Sequence, residues 1–288
     1  MTATYNDLYL DLRKILRQEG VEAASLEARE LICVASGKTR EQFFRDLSLY
    51  APDFIQEKLQ DFLSRRILGE PVAYLVGEWE FYGLTLTINP HVLIPRPDTE
   101  VLVERAITLM EKAGEGGRIL DLCAGSGAIG LAVASQVKTA RVVLVELSSE
   151  AIQVCKQNIR RNHLNGKATC LYGDAKCPPD ATLWDFDVIA CNPPYIPTAD
   201  IPRLDVSVRD FEPHLALDGG ADGLDFYRAV ATLWKDSLRL GGTLLFEVGI
   251  DQADAVKAIM LEAGYQNIQI HLDPAGIPRV VEGSVSLE

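Results

Sequence analysis

Ile119-Leu120-Asp121-Leu122-Cys123-Ala124-Gly125-Ser126-Gly127-Ala128-Ile129-Gly130 reads as a buried strand, a glycine turn and the opening of a helix. Gly125, Gly127 and Gly130 fit G-x-G-x-x-G, in which the glycines permit a tight turn and let a ligand approach the backbone at a helix amino terminus. Glu146 closes the following strand at close to the ~20-residue spacing of a ribose-binding acid. By itself the pattern permits a dinucleotide. Asp121 argues against one, because a carboxylate inside a strand is costly to bury without a cation or backbone donors, and it would repel a pyrophosphate.

Two readings of Asp121 stand: a partner for a ligand ammonium, directly or through water, or an acceptor for the N–H groups of a neighbouring loop. Glu146 is likewise either an acceptor for both ribose hydroxyls of an adenosyl group or a solvated strand-end charge. S-adenosylmethionine accounts for Asp121, the glycines and Glu146 together. Cys123, Ala124, Gly125, Ser126 and Gly127 then form the cofactor turn. Tyr172-Gly173-Asp174-Ala175 ends a later strand, where Asp174, with Ala175 beside it, is the candidate for the adenine amine; an Asp after a Gly is also a common turn.

Strand and helix alternate around this motif. Strands are expected near 118–123, 141–146, 168–173, 185–191, 242–248, 266–271 and 279–285, and helices near 99–113, 127–136, 149–163, 224–239 and 251–263. The pattern predicts an α/β fold: a doubly wound, mostly parallel, seven-stranded sheet with its ligand at the carboxyl ends of the strands. Val188-Ile189-Ala190-Cys191 reads as one of those buried strands, and Asn192-Pro193-Pro194-Tyr195 stands at its end. The two prolines remove backbone donors and stiffen the chain. The Asn192 amide and the Pro193 carbonyl are thereby presented as fixed hydrogen-bonding groups suited to a planar NH2, with Tyr195 as a flat wall.

The first seventy residues read differently. Tyr5, Leu8, Leu12, Ile15 and Leu16 keep a helical apolar stripe up to Gly20, a second helix runs from about Ser25 to Gly37, Thr39 and Gln42 make a capping box, and Phe54, Ile55, Leu59, Phe62, Leu63 and Ile67 mark a further helix. Residues 1–75 are expected as a helical domain, 76–98 as a β-hairpin and Pro-rich connector, and 99–288 as the catalytic domain. The formal charge of −13 opposes binding to a phosphate backbone. Six cysteines without C-x-x-C spacing read as reduced, buried thiols, and no metal site is expected. The amino terminus, Met1-Thr2-Ala3-Thr4-Tyr5-Asn6-Asp7, lacks a basic segment followed by an apolar one, so a soluble cytoplasmic protein without membrane contact is expected.

The glycine-turn strand together with Asn192-Pro193-Pro194-Tyr195 resembles the amino-methylating branch of the class I S-adenosylmethionine methyltransferases. Within it, Gly77-Glu78-Trp79-Glu80-Phe81-Tyr82-Gly83, Leu93-Ile94-Pro95-Arg96-Pro97-Asp98-Thr99-Glu100, Phe211-Glu212-Pro213, Ala216-Leu217-Asp218-Gly219-Gly220-Ala221-Asp222-Gly223 and Phe246-Glu247-Val248-Gly249 resemble the peptide chain release factor glutamine methyltransferase family. The resemblance runs from about Tyr5 to Gly283. The chain departs from the family where Cys123-Ala124 replaces a usual glycine, where Glu146 replaces a strand-ending Asp, and where Ala175 stands in place of an aromatic residue found in some relatives.

The resemblance implies a specific chemistry. S-adenosylmethionine would be the cofactor, held by the turn, Asp121, Glu146, Asp174 and Asn192. The substrate would be the glutamine of a Gly-Gly-Gln loop in a class I release factor. Asn192 and the Pro193 carbonyl would accept the two amide hydrogens, while Pro194 and Tyr195 complete the substrate site. Residues 1–70 and the hairpin would dock the protein substrate, direct nucleic-acid contact is not expected, and the expected state is a monomer. Pro95 to Glu100 either lies near the cofactor or is a helix-starting turn with Asp98 as cap. The alternatives are a glutamine methyltransferase of a ribosomal protein and, further off, an adenine-N6 nucleic-acid methyltransferase.

Overall fold

The computed structural model describes residues 3–286; Met1, Thr2, Leu287 and Glu288 lie outside the described residues. The amino-terminal stripe folds as α1 (Tyr5–Gln18), followed by α2 (Ala24–Ser36), α3 (Arg40–Arg45), α4 (Asp53–Ile67) and the short α5 (Val72–Val76). The Thr39–Gln42 capping box forms in both directions, at 3.2 and 2.9 Å. A second one, Thr4 with Asp7, opens α1 and was not anticipated. Nor was α5, where Pro71 sets the entry and Val72, Ala73, Tyr74 and Leu75 are all buried.

These helices form one compact unit that extends to Glu78 and takes in Asp205–Phe211 from far along the chain. Sequence reading gave no sign of this inserted segment. Within the unit Gly69 lies so close to it that a Cβ added there would stand 2.7 Å from Val206 Cγ1. Glu27 is buried in the same unit and paired twice with Arg66, at 2.7 and 3.2 Å.

The second unit, Trp79–Leu204 with Glu212–Glu288, holds the sheet. A hairpin, β1 (Glu78–Phe81) and β2 (Leu84–Thr87), turns at Tyr82 and Gly83, both at positive φ as a two-residue turn requires. The stretch expected as a connector over 76–98 is divided, its residues up to Glu78 grouping with the helices and those from Trp79 with the sheet. The chain then runs α6 (Glu100–Ala113), β3 (Arg118–Leu122), α7 (Ala128–Gln136), β4 (Arg141–Glu146), α8 (Ser149–Arg161), β5 (Ala168–Tyr172), β6 (Phe186–Cys191), α9 (Val206–Arg209, in the inserted segment), α10 (Asp225–Leu233), β7 (Leu238–Glu247), α11 (Ala253–Glu262), β8 (Gln266–Leu272) and β9 (Pro278–Ser284).

The sheet order is β5-β4-β3-β6-β7-β9-β8, parallel from β5 to β7 and antiparallel where β9 meets β7 and β8. The seven-stranded, mostly parallel sheet is thus as expected. All six residues of β6 are buried, as a central parallel strand flanked by helices demands. The order reverses between β3 and β6, and the crevice at such a switch point is where doubly wound sheets bind ligands.

Four expectations need correction. The helix expected over 224–239 ends at Leu233, and β7 begins at Leu238 rather than 242. Trp234 stops the helix by turning into the core, where it is 1% exposed and its indole donates to the Ala175 carbonyl at 2.9 Å. The Gly241-Gly242 pair sits inside β7, beside a register break opposite Phe186 and Val188. Asp98 caps no helix; its carboxylate pairs with Arg279 at 2.7 Å. Of the six cysteines, Cys177 is exposed and Cys123 half-buried.

Candidate active site

Leu122 pairs with Cys191 across β3 and β6, so the residues that follow, Cys123 and Asn192, leave the sheet side by side at the switch point. The fold therefore brings the two sequence motifs together at one edge.

On the β3 side, Asp121 is fully buried. Its Oδ2 accepts the Gly130 N–H at 2.8 Å, while Oδ1 is buried without a partner. Asp121 thus does accept a backbone N–H, but from the first turn of α7 rather than from a neighbouring loop, and its other oxygen has no partner. Burial pushes this carboxyl up to about 8, against the pull of the Gly130 N–H and with the negative Glu146 adding to the rise. Cys123 starts the turn at φ +62, a left-handed conformation that costs a non-glycine residue. Gly125 donates to Glu146 Oε2 at 2.8 Å, and Leu147 and Ser148 donate to Oε1 at 2.8 Å each. Glu146 is consequently a fixed strand-end acceptor. Three of its roughly four lone-pair positions are taken by the backbone, which leaves about one for a ligand hydroxyl.

The turn has room above it and support below. A Cβ at Gly125 would meet nothing within 4 Å. Ser126 is buried, and its carbonyl accepts from Asn158 on α8 at 2.9 Å. Asn158 also bonds the Thr87 backbone in both directions, at 2.6 and 3.1 Å, so one fully buried amide clasps the turn to β2. Tyr172 is level with Glu146 in the β4–β5 register. Two residues further on, Asp174 is half-buried, its Oδ1 accepting the Lys176 N–H at 2.8 Å, and Ala175 is buried in the core.

On the β6 side, Asn192 and Tyr195 are half-buried and Pro193 and Pro194 buried. Burial pushes the Tyr195 hydroxyl up to about 12, so it stays protonated. The loop is braced from a distance. Ile196 exchanges backbone hydrogen bonds with Leu217 and Gly219 at 3.0 and 2.9 Å, and Thr198 donates to Gly220 at 2.9 Å. Gln252 donates to the Tyr195 carbonyl at 2.9 Å and accepts from Gly249 at 3.0 Å. Gly223, at φ +75, lies so near that an added Cβ would fall on the Tyr195 carbonyl oxygen.

Next to Asn192, at the end of β7, Glu247 is 3% exposed. The Thr99 and Asn192 side chains lie against its carboxyl. Burial raises the group, and although Thr99 and Asn192 oppose the rise it still reaches about 7. Glu212, also buried, binds Arg96 and accepts the Ile94 N–H at 3.3 Å, while Arg279 bridges Asp98 and Asp273 at 2.7 and 2.9 Å. The Pro95–Glu100 stretch is held in place by these pairs. Among the described residues no group of three or more His, Cys, Asp or Glu is placed to hold a metal ion.

Comparison with known proteins gives this arrangement a family. Residues 7–77 match the PrmC N-terminal domain, and residues 79–208 match the family described as conserved hypothetical protein 95. A release factor glutamine methyltransferase of Geobacter sulfurreducens is 39% identical over 95% of this chain and 94% of its own length. The enzyme of that name from Vibrio cholerae is 39% identical over 95% and 94%. The chain belongs to the release factor glutamine methyltransferase family. A methyltransferase from Pyrococcus furiosus, 17% identical, superposes with a TM-score of 0.52 over 79% of this chain and 99% of that one, and it shares the fold.

The stretches that carried the family resemblance now have physical roles. Residues 216–223 brace the tetrapeptide, Gly249 holds the Gln252 that does the same, Glu212 anchors Arg96, and Glu247 is level with Asn192 on the next strand. Sequence reading quoted these residues without seeing what they hold. It missed Asn158 and Gln252 altogether, because a lone amide on an amphipathic helix or in a loop carries no local signal. Glu247 did carry one: a single acid closing the apolar run Leu244-Leu245-Phe246.

Proposed function

We propose that this protein transfers the methyl group of S-adenosylmethionine to the side-chain amide nitrogen of the glutamine in the Gly-Gly-Gln loop of class I peptide chain release factors. The observation that carries the reading is the adjacency of the glycine turn and Asn192-Pro193-Pro194-Tyr195 at the switch point. The residues suit that cofactor. Asp121 keeps a buried oxygen without a partner, Gly125 opens onto free space, and Glu146 is locked in place at the strand end. Asp121 would answer the ammonium, Glu146 a ribose hydroxyl, and Asp174, beside Ala175, the adenine amine.

Bound S-adenosylmethionine supplies a methyl group already activated by its sulfonium. The task left to the chain is positioning. A carboxamide nitrogen is a poor nucleophile because its lone pair is shared with the carbonyl. Asn192 Oδ1 and the Pro193 carbonyl would accept the two amide hydrogens and aim the nitrogen, with Tyr195 limiting rotation of the amide plane. No strong base is required, since the nitrogen becomes acidic as it is methylated.

The helical unit suits a protein substrate. Phe44, Leu49, Tyr50 and Phe54 are each more than half exposed within one short stretch, an apolar surface of the kind that docks proteins. The charge of −13 disfavours nucleic acid. Incubation with labelled S-adenosylmethionine and purified release factors, followed by mass spectrometric mapping, tests the proposal. Label on the Gly-Gly-Gln glutamine supports it. Label on a ribosomal-protein glutamine or on adenine would replace it with one of the alternatives.

A further inference from the structure

Glu247 is a buried carboxyl that the mechanism above leaves unused. Phe246 pairs with Cys191 in the β6–β7 register, which puts Glu247 level with Asn192 on the next strand. Its Oε2 is buried without a hydrogen-bond partner. Other elements close around it: Asp98 and Thr99 ahead of α6, Arg279 on β9, Tyr195 beyond Asn192, and Tyr227 on α10, whose hydroxyl donates to the Glu247 backbone carbonyl at 2.9 Å.

The placement matters because of a symmetry in asparagine. The two ends of the Asn192 amide have nearly the same shape, so packing alone does not decide whether Oδ1 or the NH2 group faces the substrate. Only the partner of the other end decides it. Resting on the function proposed above, we infer that ionised Glu247 is a positioning residue that receives the Asn192 NH2 group and thereby turns Oδ1 toward the substrate amide. A protonated Glu247 would instead donate to Oδ1 and let the NH2 face the substrate, donor against donor.

The sign of the pH effect follows. The active form is the carboxylate, so activity rises with pH as Glu247 ionises, near pH 7. Asp98 pushes that point up, while Arg279, Thr99 and Asn192 draw it down. Cys191, Tyr195 and Tyr227 are all raised and stay protonated throughout. Asp121 also titrates near neutrality, so the limb is assigned by substitution.

The test measures methylation of a Gly-Gly-Gln peptide or release factor against pH for the unmodified protein and for Glu247→Gln, Asn192→Ala, the double variant and Thr99→Val, with calorimetric cofactor binding alongside. Glu247→Gln is expected to lower the catalytic constant by on the order of tenfold or more, the weight of one hydrogen bond to a charged group, while cofactor affinity changes little. One acid limb should vanish. The same substitution should cost little in the Asn192→Ala background, because the two act as a unit. Thr99→Val, which keeps Glu247, should move the limb to higher pH, a readout that does not depend on Glu247→Gln folding. An unchanged rate and limb in Glu247→Gln, or an equal loss with and without Asn192, overturns the inference while leaving the proposed function intact. No transfer by the unmodified protein to any glutamine sinks both.

Discussion

The glycine turn after β3 and the tetrapeptide loop after β6 stand side by side, yet they are held by opposite means. The turn is mostly self-contained: its own backbone N–H groups close onto Asp121 and Glu146, with Asn158 as its main outside support. The tetrapeptide has almost no local hydrogen bonding. It is braced by residues 216–223 and by Gln252, with Glu247 level with Asn192 on the neighbouring strand. Binding a ligand whose shape is fixed needs a turn that can be encoded locally. Aiming a side-chain amide needs rigidity borrowed from several elements.

Substitutions can break that contrast. The largest expected effect is that of Asn192→Ala. If the tetrapeptide positions and the turn binds, turnover should fall by about a hundredfold or more, the cost of one preorganised hydrogen bond in a closed site. Cofactor affinity should stay nearly normal. Equal losses in calorimetric binding and in the catalytic constant would merge the two regions into one. Gly223→Ala attacks the brace alone. It forces alanine to φ +75 and onto the Tyr195 carbonyl, so it should destabilise the protein by about 2 kcal/mol and lower turnover, while the turn keeps its ligand. A normal melting temperature and rate would show the brace to be dispensable.

Asp121→Asn sharpens the other side. The folded-state carboxyl is raised to about 8, above its ordinary value, so the ligand-free protein carries this group without penalty in acid and loses stability as pH climbs toward and through 8. The asparagine variant should lose that part of the slope in melting temperature against pH. A slope identical to the unmodified protein would mean that Asp121 does not carry the burial cost. The smallest effect expected is that of Cys123→Gly. Glycine relieves φ +62, worth about 1 kcal/mol, or roughly 2–4 °C in melting temperature, without loss of turnover.

The same contrast explains what was legible in the sequence. The sheet could be read because apolar runs alternate with amphipathic helices, and the turn because G-x-G-x-x-G confines its meaning to a few residues. The tetrapeptide could be located, but its supports could not. Gln252 and Asn158 reach it or the turn only after the sheet has assembled, and nothing near them in sequence differs from an ordinary surface amide; Glu247 is marked only as an acid closing an apolar run, which does not say what it meets. The boundaries at Leu233 and Leu238 were illegible for a related reason. Trp234 leaves its helix to meet Ala175, a partner that local periodicity does not see.

The inserted segment, Asp205–Phe211, bears on how the chain is made. As synthesis proceeds, the helices up to Glu78 leave the ribosome first, but the piece that packs beside Gly69 follows only after β6 has been completed. Domains made early in a chain usually close before later ones begin. Here the first-made unit stays unfinished until most of the parallel strands have emerged. Cutting the gene at the Glu78 boundary would give an incomplete unit and leave its missing piece stranded in the other fragment.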